Sequence, residues 1–243
     1  MGTAASLTFG EHEPHASVLV EVERIFAEYD KRFSLYRPSS ELSRIASAEL
    51  AMMDASEELR DAYALALSWR ESTRNAFNPH RPDGVIDLSG VVKALAMQAA
   101  ADVLRRADLS NFCLNVGGDI VAGGESAEGL PWSVGIVDPL DRSGLLTSIS
   151  LAPGREGCAT SGSAERGDHI WRTAESSGEF VQATVVADDI VTADVLATAI
   201  ISGGPGILDL VTARWPVDVM TVDLAGAIRM TPGMSAAMLA DLR

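Results

Sequence analysis

The sequence predicts an α+β fold: a single compact domain of mostly antiparallel strands with helices packed against them. Three observations lead there. Four stretches, at about 17–32, 56–69, 89–106 and 192–201, carry the spacing or capping of helices. Short strand-like runs separated by turn residues fill much of the remainder. Across all 243 residues there is no repeat, no low-complexity linker and no sharp change of composition, and the length suffices for a substantial core.

In chain order, residues 6–9 are strand-like and residues 10–15 form a polar loop. Over 17–32, Val18, Val22, Ile25 and Tyr29 recur at helical spacing with glutamates on the other face, as in a surface helix covering a core. FSLYRPSSELSRI, residues 33–45, has a short extended piece at Leu35, a break at Pro38 and Ser39 or Ser40 as cap of a new turn. Tyr36 lies close to Arg37 and Arg44, placed either to stack on a planar ring or to pack on the core. The second helix follows at 56–69, and then FNPHRPDG, residues 77–84, is a loop punctuated by Pro79, Pro82 and Gly84.

That loop leads into VIDLSGVVKALA, residues 85–96, which reads as a short buried strand at Val85 and Ile86, a polar turn and the start of an amphipathic helix. Its apolar positions Val92, Leu95, Ala96, Ala99 and Val103 carry the helix to about Arg106. Phe112, Leu114 and Val116 then alternate as in a half-buried strand before Gly117-Gly118, where a positive φ is available. Strand-like runs at 132–137 and 145–151 flank a turn at Asp138-Pro139-Leu140-Asp141. GCATSG, residues 157–162, ends in a small-residue turn. A strand at 181–186, a helix at 192–201 closed by Gly203-Gly204, strands at 217–222 and 227–230 and a short helix follow.

A formal net charge of −15 argues against a general role on nucleic acid or anionic lipid. An anionic ligand would have to be held by local positive charge or a metal working against that field. Cys113 and Cys158 sit in apolar stretches without metal-ligand spacing and read as buried reduced thiols. No stretch has the length of a membrane span and the first ten residues lack a basic start followed by an apolar run, so a cytoplasmic protein without a membrane anchor is expected.

Two constellations carry chemistry. The Asp87-Leu88-Ser89-Gly90 turn sits at a helix N-terminus, where unpaired N–H groups and the dipole attract an anion, with Lys93 one turn in. Equally, Asp87 and Ser89 are ordinary capping residues, and Lys93 suits an exposed helix face. In TADVLATAI, Asp194 and Thr198 are four residues apart on one helix face, a carboxylate and a hydroxyl suited to magnesium. The alternative is a dipole-complementing Asp and a Thr bonded back to the i−4 carbonyl.

Five segments, FSLYRPSSELSRI, VIDLSGVVKALA, LNVGGDIVAGG, GCATSG with His169-Ile170, and TVVADDIVTADVLATAI, together resemble the ApbE family of flavin transferases in content and order. They span most of the chain. The resemblance implies one ApbE-like (T-fold-like) domain over residues 1–243. It also implies magnesium-dependent transfer of FMN from FAD to a Thr or Ser of an acceptor protein. By position it places FAD against Met1, Tyr36, Ala76, Phe77, Asn78 and Asp87. It gives magnesium the backbone carbonyl of Gly90 and the side chains of Asp194 and Thr198, and catalysis His169. The chemistry of the residues agrees, since pyrophosphate cleavage needs charge neutralised, which magnesium with Lys93 or a helix N-terminus would do.

The chain departs from the family pattern in three places. The stretch between Asn78 and Ile86 is shorter, Asn78 stands where the family is acidic, and Trp171-Arg172-Thr173 follows His169-Ile170 in place of an Asp-Pro and a Thr-Gly. The first bears on one wall of the flavin pocket, and the last, next to the expected chemistry, bears on transfer more than on flavin binding. They leave two alternatives, an FAD hydrolase yielding FMN and AMP, and a non-catalytic FAD-binding protein.

Overall fold

Seven strands pair into one antiparallel sheet in the order β1-β2-β3-β6-β7-β8-β9, with β4 and β5 forming a separate hairpin. The computed structural model describes residues 3–10, 14–127, 129–162 and 179–238. The strands are β1 (Ala5–Phe9), β2 (Phe112–Val116), β3 (Asp119–Gly123), β4 (Ser133–Val137), β5 (Leu145–Ser150), β6 (Gly157–Gly162), β7 (Phe180–Ala187), β8 (Asp218–Asp223) and β9 (Ile228–Met230). The helices are α1 (Ala16–Phe33), α2 (Glu41–Ala46), α3 (Glu57–Ser72), α4 (Ser89–Arg106), α5 (Ile190–Gly203), α6 (Pro205–Arg214) and α7 (Pro232–Ala237).

β1 pairs with β2 across more than a hundred residues of intervening helix and loop. A helical block, α1 to α4, is thereby inserted between two neighbouring strands of the sheet. Its helices start where short polar side chains cap them: Ser40 accepts the Ser43 N–H, and Ser56 accepts that of Leu59. Along α4, Val92, Ala96, Ala100 and Val103 face inward at helical spacing, and they share a core with Phe112, Leu114, Val185 and Leu196 or with the Phe77 cluster described below.

The β2–β3 hairpin turns on Gly117 and Gly118, whose φ angles are +62° and +93°. Two successive positive φ values suit a two-residue hairpin loop, whose twist matches the strands it joins. The turn pairs Val116 with Asp119, so the first residue of β3 is a carboxylate facing a buried environment.

Two expectations need correction. Val85 and Ile86 form no strand, because Ile86 makes only an isolated bridge to His80 and both residues are half-buried. The piece around Leu35 is a turn, since Ser34 caps α1 and its carbonyl takes the hydroxyls of Ser40 and Ser43. Helix α6 occupies a stretch to which the sequence reading gives no element, and it opens on Pro205 at a first helical position, where the missing N–H costs nothing. Both cysteines are free thiols, Cys158 buried as expected and Cys113 only half-buried. Burial pushes Cys158 up to about 12 and Cys113 up to about 11, which leaves them protonated and unreactive at neutral pH.

Candidate functional site

Helix α5 carries the centre of the site. Asp189 caps it, accepting the Thr192 N–H at 2.8 Å and the Thr192 hydroxyl at 2.7 Å. From there the helix is buried along most of its length, and Asp194 is 0% exposed within it. An ionised carboxylate in such a place costs several kcal/mol unless it is compensated.

The compensation arrives from α4. Lys93 Nζ lies 3.6 Å from Asp194 Oδ2 and in direct contact with Asp119 Oδ2, and the lysine side chain is only 15% exposed. Asp119, 1% exposed, also accepts the Thr160 N–H of β6 at 3.1 Å. One ammonium thus joins β3, α4 and α5 between two buried carboxylates. One turn beyond Asp194, the half-buried Thr198 hydroxyl meets the Ser161 hydroxyl of β6 at 3.1 Å. Neighbouring hydroxyls of Thr160 and Thr184 lie 2.9 Å apart.

The exposed-face reading of Lys93 therefore fails, and its ion pair explains why: two buried charges draw the ammonium inward. Asp119, Thr160 and Ser161 were not singled out from sequence. A signal existed for the first, since a carboxylate opening a run as apolar as DIVAG is rarely buried unless paired.

The second group of expected residues surrounds the start of α4. Ala76 and Phe77 are each 4% exposed and pack with Leu88, Val91, Val195 and Ala199. A Cβ added at Gly90 would lie 2.8 Å from Phe77 Cε2, so the helix start can approach this ring only as glycine. Asn78 Oδ1 accepts the His80 N–H at 3.0 Å, and Asp87 donates its own N–H to the Pro79 carbonyl at 2.7 Å. The Asp87 carboxylate accepts the Ser89 N–H at 2.9 Å in a local turn, but the N-cap of α4 is Leu88, which makes no side-chain cap bond, so neither Asp87 nor Ser89 is the cap that the capping reading expects. Tyr36 is 82% exposed in the turn between α1 and α2, which removes core packing as its role. Met1 and His169 lie outside the described residues.

His80 ties this loop to α3. Arg70 Nη1 lies 3.4 Å from His80 Nδ1, and Tyr63 Oη 2.8 Å from Nε2. Arginine can only donate, so Nδ1 accepts and the ring's own N–H, on Nε2, donates to Tyr63. Burial, and then the Arg70 guanidinium, hold the imidazole below its ordinary value of 6.5. A depressed histidine value means that the unfolded chain takes up a proton which the folded chain resists. Stability from this residue is present above the ordinary value and is lost as pH falls through it toward the folded value. Urea unfolding is expected to show a larger drop in stability between about pH 7.5 and about pH 5.5 for the native sequence than for His80→Gln. Equal drops would remove His80 from the loop's pH response.

Asp194 and Thr198 suit a hard cation: a carboxylate and a hydroxyl one helical turn apart both offer oxygens, which magnesium prefers. Two carboxylates against one ammonium leave the spot net negative. The ApbE family model matches residues 1–83 and 80–221. This chain belongs to the ApbE family. Curated relatives agree: it is 30% identical over 146 residues to the FAD:protein FMN transferase of Klebsiella pneumoniae (strain 342), covering 56% of this chain and 41% of that protein. With the FAD:protein FMN transferase of Escherichia coli (strain K12) it shares 30% over 137 residues, 51% of this chain and 38% of that one. The matched stretch thus spans about two fifths of these relatives' length.

Solved structures extend the fold likeness across nearly the whole ApbE-family chain. The flavin transferase ApbE from Vibrio cholerae superposes with a TM-score of 0.79 at 20% identity, covering 98% of this chain and 96% of that one. The ApbE protein from Thermotoga maritima gives 0.78 at 19%, covering 98% and 97%. At such identity the likeness establishes the fold, in which mixed helices pack on an antiparallel sheet. Among the described residues no helix is long and apolar enough to cross a membrane.

Proposed function

We propose that this chain is a magnesium-dependent FAD:protein FMN transferase, acting as one domain over residues 1–243. The observation that carries the reading is the convergence of Asp194, Thr198 and Lys93 from two packed helices, in a family whose curated relatives bear that activity's name. FAD is the substrate, and the partner is an acceptor protein offering a Thr or Ser hydroxyl. A cytoplasmic setting accords with this reading.

In the reaction the acceptor oxygen bonds to the phosphorus of the FMN half. The bond from that phosphorus to the bridging oxygen breaks, AMP leaves with that oxygen, and the hydroxyl proton passes to a base. His169 is the residue the family resemblance gives for that base. Asp194 and Thr198, with the Gly90 carbonyl, would hold magnesium, which supplies neutralising charge on the phosphate oxygens. Lys93 provides a fixed positive charge beside the same spot, preorganised by its buried carboxylates. The start of α4, with Phe77 packed on Gly90 and Asp87 in the turn before it, forms the flavin-nucleotide side, and exposed Tyr36 is available for stacking on the flavin ring.

Incubation with FAD, magnesium and an acceptor domain is expected to leave flavin fluorescence on the acceptor in a denaturing gel. FAD binding without a label on any acceptor would sink the transfer reading. One competitor is hydrolysis, in which water replaces the acceptor hydroxyl. AMP release at the same rate without acceptor would decide for it, and binding without turnover would point to a non-catalytic flavin protein.

A further inference from the structure

The Lys93 ammonium is shared unequally between its carboxylates. It is in direct contact with Asp119 Oδ2, but 3.6 Å from Asp194 Oδ2, which is past hydrogen-bonding range. Asp119 is itself fixed by the fold. It opens β3 immediately after the Gly117-Gly118 turn, and the Thr160 N–H holds its other oxygen at 3.1 Å. Asp194 stands on a different element, as one of the oxygen donors suited to a cation.

We propose that Asp119 is a positioning residue: it holds the Lys93 ammonium on β3 and away from Asp194, so that Asp194 can take a divalent cation. The inference rests on the metal-binding reading of the site. Charge balance supports it. Two carboxylates and one ammonium give a net charge of about −1, which a dication turns into about +1. With Asp119 neutral, Asp194 and Lys93 alone already cancel. A dication would then have to displace an ammonium from its only carboxylate in the trio, and would leave a larger uncompensated charge in a buried place.

Lysine occurs only at positions 31 and 93, and Lys31 is exposed. In protein labelled with nitrogen-15 at lysine, the sheltered Lys93 ammonium is therefore observable by itself, and Lys93→Met assigns it by removing the signal. Without metal, Asp119→Asn is expected to shift that signal. Calorimetry without FAD is expected to show magnesium binding weakened by about tenfold or more in Asp119→Asn, since an ammonium now competes at Asp194. Adding Lys93→Met to Asp119→Asn is expected to restore the affinity, a rescue that a merely structural role for Asp119 would not produce. Asp119→Glu, which keeps the charge, is expected to retain both signal and affinity.

An unmoved Lys93 signal in Asp119→Asn overturns the proposal. So does unchanged magnesium affinity, a double variant as weak as the single, or Asp119→Glu losing as much as Asp119→Asn. Should Asp119→Asn fail to fold, the double variant and Asp119→Glu carry the same comparison. A native protein that binds no magnesium sinks the metal reading and this proposal's metal step together. The Lys93 signal then separates that failure from one in which Asp119 never held the ammonium.

Discussion

Lys93→Met is expected to lower the free energy of unfolding by about 3–5 kcal/mol, the range found when one partner of a buried ion pair is removed. The effect comes from what remains. Asp119 and Asp194 are 1% and 0% exposed, and the ammonium is the charge that both of them share. Methionine fills similar volume but leaves two buried carboxylates without the ammonium between them. Surface ion pairs such as Arg24 with Glu21 and Glu28, with all three side chains substantially exposed, contribute far less. Urea unfolding followed by circular dichroism measures the difference. A loss under about 1 kcal/mol would mean that the carboxylates are compensated elsewhere and that Lys93 is not the keystone of the trio. Magnesium adds a second handle. A cation bound at Asp194 replaces part of the missing charge, so saturating magnesium is expected to return part of the lost stability to the variant through linkage.

How much of this could be read from the sequence follows from where each signal lies. Helices α4 and α5 were legible because their apolar positions, or their caps, are local features, and the β2–β3 hairpin because Gly117-Gly118 punctuates it. Asp194 and Thr198 were legible as a pair because i and i+4 always share a helix face. The partners that give the pair its chemistry were not. Asp119 comes from a strand some 75 residues earlier and Ser161 from β6, and only the strand order β3-β6-β7 brings them under α5. Lys93 was visible as a residue, but its environment was not, because burial of its ammonium depends on those same long-range carboxylates. Helix α6 was hidden by Pro205-Gly206, where a local breaker marks a helix start instead of a loop.

Asp194→Ala is expected to cut FMN transfer on the order of 10²–10³-fold or more, while the fold survives. The two halves of that expectation have separate causes. Removing this carboxylate takes the only charged oxygen from the proposed donor set, and the Thr198 hydroxyl with a backbone carbonyl cannot hold a hard dication against water. Stability is expected to change little, within about 1–2 kcal/mol, because the variant removes a buried charge while Lys93 keeps its direct contact with Asp119. This is the reverse of Lys93→Met, where stability falls first. Gel fluorescence with the acceptor gives the rate, and thermal unfolding gives the stability. Thr198→Val is a milder companion: it removes one neutral donor and the Ser161 contact at 3.1 Å, so a loss smaller than that of Asp194→Ala is expected, eased by excess magnesium. Transfer by Asp194→Ala at the native rate would take Asp194 out of the chemistry and leave it as the buried counter-charge of Lys93.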